Sequence, residues 1–350
     1  MLIDPATGRL TGMAEQAVRA GDDEEPEVER ELFRQQIETM TDPCEALDEL
    51  AKQLRAGRRA VTDSAAEAGA AAVAVPTPVL VGEDEAVTPK PRYERIRQEY
   101  GELARTSLAC AMHIHVDIDD EKQGVRVLDG LRPWLPVLLA VSANSPYVRG
   151  RDTGYASWRA QIWGRWPSHG SPEAFGSAAT YHEVRTTLTE WGAAIDDGMV
   201  YFDARLSAKY PTVEIRVADV CTDLDDAMLV AALARGLVTQ LAATEPGRAW
   251  RSDLIRAATW RASRYGLAGQ LVHPGERRLA PAREVFESMV AFVRPALDDG
   301  GDLDLVEDLG ERLLSDGGGA TRQRRVFEKT ESLEDVVRDL AARTEASGRG

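Results

Sequence analysis

The chain has 350 residues, of which 43% are hydrophobic and 29% charged, and it carries a formal net charge of −16. This composition indicates a globular protein with a sizeable core, and the negative charge argues against nucleic acid as a partner. Cys44, Cys110 and Cys221 follow no metal-binding or disulfide spacing, which indicates reduced thiols. The sequence shows neither a leader pattern nor an apolar run of about 18 residues, so we expect a cytoplasmic protein without membrane contact.

In chain order, the first predicted element is the end of a strand that enters a Pro/Gly turn, in residues 2–8. Residues 31–39 fit a strand or a helix equally well. Residues 43–70 have leucines at helical spacing and predict a long amphipathic helix. Residues 71–81 are apolar and broken by proline, which predicts an edge strand or a strand that leaves into a loop.

The middle of the chain alternates between strand and helix periods. Residues 110–118 alternate strictly, which predicts a strand with His113 and His115 on its polar face. Residues 122–143 return to helical spacing, with prolines that are expected to bend the helix. Residues 145–176 are dense in Arg, Trp and Gly and lack a clear period; a connection of that length is usually functional.

Residues 199–206 and 212–220 predict an antiparallel hairpin, because both alternate and a Pro-containing turn separates them. One face of this hairpin is apolar, and the other carries Asp203, Arg205, Glu214 and Arg216. Thr222 or Asp223 is then expected to cap a helix that runs to about Leu241, and the chain from Trp250 onward is predicted to be mostly helical.

The polar face of these strands is rich in groups that bind metal, carboxylate and phosphate. The alternative is a solvated surface. On such a surface Asp203 and Arg205 would pair across the hairpin, and the pair would stabilise the fold by about 0–1 kcal/mol. His115 could act only through a hydrogen bond to a ligand. Tryptophans 158, 163 and 166 are expected to pack rather than to stack on a base.

Several motifs in one order resemble the glutamate–cysteine ligase type 2 family, the YbdK-like carboxylate–amine ligases. The motifs that carry the resemblance are Met112-His113-Ile114-His115-Val116, Leu131-Arg132-Pro133-Trp134-Leu135-Pro136, Ser142-Ala143-Asn144-Ser145-Pro146, Arg149-Gly150-Arg151-Asp152-Thr153-Gly154-Tyr155-Ala156-Ser157 and Thr212-Val213-Glu214-Ile215-Arg216-Val217-Ala218-Asp219-Val220. The resemblance runs through most of the chain.

This resemblance implies an α+β, glutamine-synthetase-like fold, in which an antiparallel sheet curves into a funnel and helices pack outside. It implies one ligase domain over residues 1–350, with a sheet core at about 1–245 and a mostly helical part at 246–350. The implied reaction uses ATP and Mg²⁺ to convert a carboxylate into an acyl phosphate, from which an amine displaces phosphate. Glutamate and cysteine are the implied small-molecule substrates, and weak formation of γ-glutamylcysteine is the implied activity. A homo-oligomer is compatible with the family.

The resemblance and the polar face together predict the site residues. Metal binding is predicted for Glu31, Glu38, His113, His115 and Glu214. Arg216 matches a phosphate-side arginine and is a catalytic candidate, and Arg205 on the same face is a further candidate for binding ATP. Arg151 is predicted to contact the substrate carboxylate or a phosphate.

The sequence also departs from the family. Family members begin with a strand that reads Gly-Val-Glu-Glu-Glu-Phe, and here Met1 stands where that strand should end, so the first strand is expected to be missing. Residues 75–79 replace a stretch that commonly reads Gly-Thr-His-Pro. Either the true start lies upstream, or the chain is a degenerate member that binds a ligand or partner without turnover. A third hypothesis is a metal-dependent hydrolase that uses His113 and His115.

Overall fold

A computed structural model describes residues 1–21, 26–82, 86–245, 247 and 249–349. The helices are α1 (Ala14–Ala20), α2 (Leu47–Glu67), α3 (Pro91–Tyr100), α4 (Glu102–Arg105), α5 (Glu121–Leu131), α6 (Leu135–Ser142), α7 (Trp158–Trp163), α8 (Ala178–Glu190), α9 (Leu224–Ala243), α10 (Ser252–Tyr265), α11 (Ala282–Asp299), α12 (Leu303–Asp316), α13 (Gly318–Thr330) and α14 (Leu333–Arg349), with 3₁₀ turns at Asp197–Met199 and Gly266–Ala268. The strands are β1 (Leu2–Ile3), β2 (Val28–Arg30), β3 (Ile37–Thr39), β4 (Ala71–Ala72), β5 (Ile114–Asp117), β6 (Tyr147–Val148), β7 (Arg151–Asp152), β8 (Ala204–Leu206), β9 (Thr212–Ile215), β10 (Gln270–Val272) and β11 (Leu279–Pro281). The predicted α+β class is confirmed.

The central sheet has three antiparallel strands in the order β5-β9-β8. The predicted hairpin is therefore confirmed as β8 and β9, and the alternating histidine strand, β5, pairs with its far side. All three strands are shorter than the alternation suggested. An isolated bridge between Ala111 and Asp219 nevertheless continues the β5–β9 pairing beyond the regular ladder.

The remaining strands form two-stranded antiparallel ribbons. Strand β1 pairs with β4, which is the edge position predicted for residues 71–81. The ambiguous residues 31–39 contain strand β3, and β3 pairs with β2. The β10–β11 ribbon lies in the part of the chain predicted to be mostly helical. The expectation that an acidic first strand is missing stays a prediction.

The predicted helices form with small changes of boundary. The long amphipathic helix is α2, and the proline-bent helix divides into α5 and α6. Helix α5 approaches the sheet closely at Gly124, where a Cβ atom would lie 2.5 Å from side-chain carbons of Ile118 and Leu206. A larger residue at this position would force the side chains of Ile118 and Leu206 to move.

The predicted side-chain cap of helix α9 is wrong. Asp223 is the residue that precedes the helix, but its side chain makes no capping hydrogen bond. Its carboxylate instead pairs with Arg322 and Arg343 on the C-terminal helices α13 and α14, and Thr222 donates to the carbonyl of Ala74. Ion pairs from distant parts of the chain have therefore replaced the local cap.

Helix α9 is long and apolar enough, by length and composition alone, to cross a membrane, contrary to the sequence expectation. Two thirds of its most apolar window (67%) are buried inside the protein. It packs against α5 and α6 on one side and α11 and α12 on the other. Its apolar composition is thus explained by its place at the centre of the main hydrophobic core.

The C-terminal helices pack back onto the N-terminal half of the chain. Helix α14 lies along α2. The backbone carbonyl of Gly348 accepts a hydrogen bond from the guanidinium of Arg59 in α2 (3.2 Å). These contacts bring the two ends of the chain together around one set of elements.

A buried carboxylate, that of Asp219, joins the central sheet to the irregular segment that follows α6. It accepts hydrogen bonds from the backbone of Asn144 (2.9 Å) and from the hydroxyls of Ser145 and Ser157 (both 2.8 Å). It also pairs with Arg159 (2.8 Å), and neither Asp219 nor Arg159 is more than 3% exposed. Four donors therefore converge on one charge that water does not reach.

We expect Asp219→Asn to lower the free energy of unfolding by about 3 kcal/mol. The amide N–H₂ group of asparagine would lie against hydrogen-bond donors, and Arg159 would be buried without a counter-charge. The measurement is urea unfolding followed by circular dichroism. Asp308→Asn, at an exposed position on α12, is the control and should change stability by less than about 0.5 kcal/mol. Adding Arg159→Met to Asp219→Asn should cost less than the sum of the single changes, and strict additivity would contradict this account.

Candidate functional site

The polar residues of the central sheet lie on one face, as the alternation predicted. In the first row, His115 lies opposite Glu214, and Glu214 lies opposite Arg205. In the next row, Arg216 lies beside His113, with 3.5 Å between Nη1 and Nδ1, and its backbone N–H donates to the carbonyl of Asp203 (2.9 Å).

The two residues on which the metal hypothesis depends are close together. Nδ1 of His113 lies 3.7 Å from Oε1 of Glu214. The structure therefore places an imidazole and a carboxylate within reach of a common ion, which is the arrangement that the sequence required.

Glu214 is the electrostatic centre of this face. Its carboxylate accepts from Nε of Arg205 (2.7 Å) and contacts the guanidinium of Arg216. Burial opposes its ionisation, but the charges of Arg216 and Arg205 outweigh burial and lower the pKa of Glu214 to about 2. The group therefore stays a carboxylate throughout the physiological pH range.

The guanidinium group of Arg205 is hydrogen-bonded within the protein. Besides Glu214, it donates to the backbone carbonyls of Asp197, Gly198 and Val200 (3.0–3.1 Å). Its geometry fits the orientation of Glu214 better than a direct contact with a ligand. The alternative that Arg205 pairs with Asp203 is wrong, because Asp203 lies against His169 and Ser171 instead.

His113, just before β5, and His115, on β5, are both held in the neutral form. Burial, followed by the charge of Arg216, lowers the pKa of His113 well below its usual value, although Glu214 acts in the opposite direction. Burial also lowers the pKa of His115, whose Nδ1 lies 2.8 Å from the hydroxyl of Thr212. Neutral imidazole is the form that binds a metal ion.

The β2–β3 ribbon adds carboxylates to the same region. Glu29 and Glu38 are directly opposite each other in the ribbon, and Glu38 shares a hydrogen bond with Glu31. Burial is the largest cause of a raised pKa at Glu38, followed by the hydrogen bond and charge of Glu31 and the charge of Glu29. Arg216 acts in the opposite direction, which places the ribbon within electrostatic reach of the central sheet.

Glu38 and His113 are accessible to water, yet the surrounding protein desolvates both of them strongly. A side chain on the wall of a recess satisfies both conditions, since water enters from one side and protein encloses the others.

Aromatic residues support the far end of the polar face. Tyr201 lies under the guanidinium of Arg216 at 5.7 Å from the ring centroid, and its ring also packs against Trp163 (4.8 Å) and Trp166 (5.4 Å). Trp166 is only 3% exposed, which confirms the prediction that it packs. Trp163, Tyr201 and Arg216 contribute to the wall of a small cavity.

Arg151 is not brought to this face. It lies on the short strand β7, where its side chain is exposed. Within the described ranges, its side chain makes no hydrogen bond or ion pair with the residues of the polar face. Its role in substrate binding stays a prediction.

Sequence reasoning missed four residues of the site, namely Glu29, Arg159, His169 and Tyr201. Glu29 follows a loop and sits on a three-residue strand, too short to show a period. Arg159 and His169 lie in the segment at residues 145–176, whose sequence has no clear period. Only the length of that segment indicated a function. Tyr201 was visible on the alternating strand but was not singled out.

The donor types on this face are those that a hard divalent cation accepts. Glu29, Glu31, Glu38 and Glu214 bring four carboxyl groups to the region of the two guanidinium groups of Arg205 and Arg216. Burial, followed by Glu31 and Glu29, raises the pKa of Glu38 to about 9, so this carboxyl group has to lose a proton when it binds a cation. Carboxylate oxygens with one or two imidazoles are ligands that such an ion accepts.

We expect the stabilising effect of Glu214 to depend on pH. Because its pKa is lower in the folded than in the unfolded chain, its contribution is complete above the ordinary pKa of 4.5 and is lost as pH falls through about 2. In metal-free protein, Glu214→Gln should lower the free energy of unfolding by about 3–5 kcal/mol at neutral pH. That difference should shrink when the urea midpoints are measured below pH 4.5.

The control is Glu307→Gln, an exposed carboxylate that pairs with Arg294 (2.6 Å). Its effect should stay within about 0.5 kcal/mol at every pH. A difference between wild type and Glu214→Gln that stays constant from neutral to acid pH would contradict the lowered pKa.

The chain matches known proteins along almost its whole length. Residues 3–340 match the family described as glutamate–cysteine ligase family 2. A protein of Nocardioides sp. named "Putative glutamate--cysteine ligase 2-1" is 49% identical, with 99% of this chain and 94% of that protein covered. One of Frankia alni, with the name ending 2-2, is 48% identical, with 89% and 82% covered.

Two solved structures share the fold at low sequence identity. The glutamate–cysteine ligase of Francisella tularensis in complex with AMP superposes with a TM-score of 0.66 at 11% identity, and covers 99% of this chain and 87% of that one. A bifunctional glutathione synthetase from Pasteurella multocida gives 0.64 at 14% identity, covering 98% and 51%. From the match over residues 3–340 and the identity of its relatives, the chain belongs to glutamate–cysteine ligase family 2.

Proposed function

We propose that the protein is an ATP-dependent carboxylate–amine ligase that forms an amide through an acyl phosphate, with glutamate and cysteine as the first substrates to test. The observation that carries the proposal is the convergence of His113, Glu214 and Arg216 on one face, with Glu38 within electrostatic reach of Arg216. Membership of the family supports the ligase class. The AMP in the Francisella tularensis ligase agrees with the use of ATP here.

Magnesium is the proposed cation, and Glu31, Glu38, His113, His115 and Glu214 are the residues that would hold it. Bound there, it would neutralise charge on the phosphates of ATP and on the phosphoryl group during transfer. The neutral state of both imidazoles and the presence of the carboxyl groups support this assignment.

Arg216 is the proposed phosphate-side residue. Its guanidinium is almost fully buried, contacts Glu214 and lies on Tyr201. Its Nε atom is buried and has no hydrogen-bond partner within the described part of the chain. A fixed guanidinium with a donor to spare can stabilise charge that develops on a transferring phosphoryl group.

We also propose that the central sheet and the β2–β3 ribbon line one funnel, within a single ligase domain that spans residues 1–350. The electrostatic coupling between Glu38 on the ribbon and Arg216 on the sheet supports this arrangement. The packing of α14 on α2 supports a single domain. We propose in addition a cytoplasmic location, small-molecule substrates and, as the family allows, a homo-oligomer.

The test is ADP release with ATP, Mg²⁺ and a panel of acids and amines that includes glutamate and cysteine. Wild-type protein should release ADP only when acid and amine are both present, and the amide should be found by mass spectrometry. Glu38→Gln should lower the rate by at least about 10-fold and should require more Mg²⁺, because the variant removes one proposed ligand. Glu190→Gln, an exposed change at the end of α8, is the control and should leave the rate unchanged.

Two results would count against the proposal. Nucleotide binding in a thermal-shift titration without ADP release for any acid and amine would support the alternative, a member that binds without turnover. A Glu38→Gln variant that keeps the wild-type rate and the wild-type Mg²⁺ requirement would remove the β2–β3 ribbon from the site.

A further inference from the structure

His169 lies at the end of the polar face, in a position that the metal and phosphate roles do not use. The backbone N–H of Asp203 donates to the carbonyl of Gly170 (3.0 Å), and Gly170 bridges Phe202 in parallel. The segment around Gly170 therefore adds an edge to the central sheet beside β8. Because side chains alternate, His169 and Ser171 both point to the side of Asp203.

Asp203 orients this imidazole. Its Oδ1 atom lies 3.3 Å from Nε2 of His169, and its Oδ2 atom accepts from the hydroxyl of Ser171 (2.9 Å). Asp203 is 4% exposed, so few other groups compete for these contacts. This 3.3 Å contact is an electrostatic one, and a carboxylate beside Nε2 favours the tautomer that carries its proton on Nε2 and its lone pair on Nδ1.

Among the described residues, none donates a hydrogen bond to the lone pair on Nδ1. Of the five histidines in the sequence, His169 shares a small cavity with Arg159, Trp163, Tyr201, Asp203 and Arg216. The other cavity groups that carry charge are Asp203, Arg159 and Arg216.

The other histidines are committed elsewhere. His113 and His115 face the carboxylates, and His182 pairs with Glu121 on α5 (2.8 Å). Nδ1 of His273 accepts from the backbone N–H groups of Gly275 and Glu276 (both 3.2 Å). His169 is thus the imidazole near Arg216 that can take up a proton from a substrate.

We propose that His169, oriented by Asp203, is the base that deprotonates the incoming amine in the second half of the reaction. This inference rests on the proposed ligase function and adds to it the residue that handles the amine. Burial lowers the pKa of His169, and the charges of Arg159 and Arg216 act in the same direction against that of Asp203. The ring is therefore neutral and able to accept a proton at neutral pH.

The chemistry of the step is balanced. An amino acid amine arrives as an ammonium group and passes one proton to Nδ1 of His169. The freed lone pair forms the C–N bond at the carbonyl carbon of the acyl phosphate, and the C–O bond to phosphate breaks. Phosphate leaves with that electron pair and takes the second proton from nitrogen, and His169 then returns its proton to water.

The experiment compares an amine that needs a base with one that does not. Cysteine is largely protonated at its amine at neutral pH, whereas hydroxylamine is largely neutral and traps acyl phosphates as hydroxamates. With glutamate and Mg-ATP, or with the acid that gives the most ADP, His169→Gln should form hydroxamate at a rate close to wild type. Its amide formation with cysteine should fall by about 100-fold, the size of a typical base contribution.

Glutamine is chosen because its amide nitrogen can replace Nε2 beside Asp203 while the base at Nδ1 is lost. A thermal melt close to that of wild type would show that the variant folds. Asp203→Asn is a second variant, which should lower amide formation more than hydroxamate formation because it removes the orienting carboxylate. His182→Gln, on α8, is the matched control and should change neither rate.

The outcomes separate the two proposals. If wild-type protein forms no hydroxamate with any acid, the ligase proposal fails, and the role of His169 fails with it. If wild type is active but His169→Gln loses both products equally, or neither, the ligase proposal stands and His169 is not the base. Recovery of amide formation by His169→Gln as pH rises and the amine loses its proton would support the assignment.

Discussion

The buried carboxylate of Asp219 is the contact on which the geometry of the site depends. It receives four donors, and one of them, Arg159, also donates to the backbone carbonyl of Val217, the residue that follows Arg216. An ion pair without water is costly to form and very costly to break, so the segment it joins has little freedom to shift. The position of Arg216, just after β9, is therefore fixed by a residue of helix α7 more than 50 residues earlier.

The charges on the sheet form a second level of organisation above that anchor. Glu214 lies between two arginines, and one of them, Arg205, spends its remaining donors on backbone carbonyls. Arg216 keeps a donor that no protein group occupies among the described residues. The two arginines thus differ in role despite their similar sequence context: Arg205 fixes Glu214, and Arg216 can still respond to a ligand.

The polar face could be predicted because residues that are two positions apart on a strand have their side chains on the same face of the sheet. His113 and His115, then Glu214 and Arg216, follow that period without interruption, and the register confirms them. Glu38 was reached only through the family resemblance, because residues 31–39 contain a three-residue strand and no usable period. The cap at Asp223 was mispredicted since distant arginines compete for its carboxylate.

His169 shows what local patterns cannot supply. It lies in a segment without periodicity, and its partner Asp203 is more than 30 residues away in the chain. Only the parallel bridge between Gly170 and Phe202 brings them together, and no propensity predicts such a bridge.

Because of this bridge, the two ends of the polar face carry different chemical groups. Acidic residues, His113 and His115 occupy one end, Arg216 lies in the middle, and a neutral imidazole with its aromatic surroundings occupies the other. A reaction that first needs negative charge neutralised and then needs a proton removed requires such a separation. A base placed among the carboxylates would be bound to the cation, and it could not accept a proton from an amine.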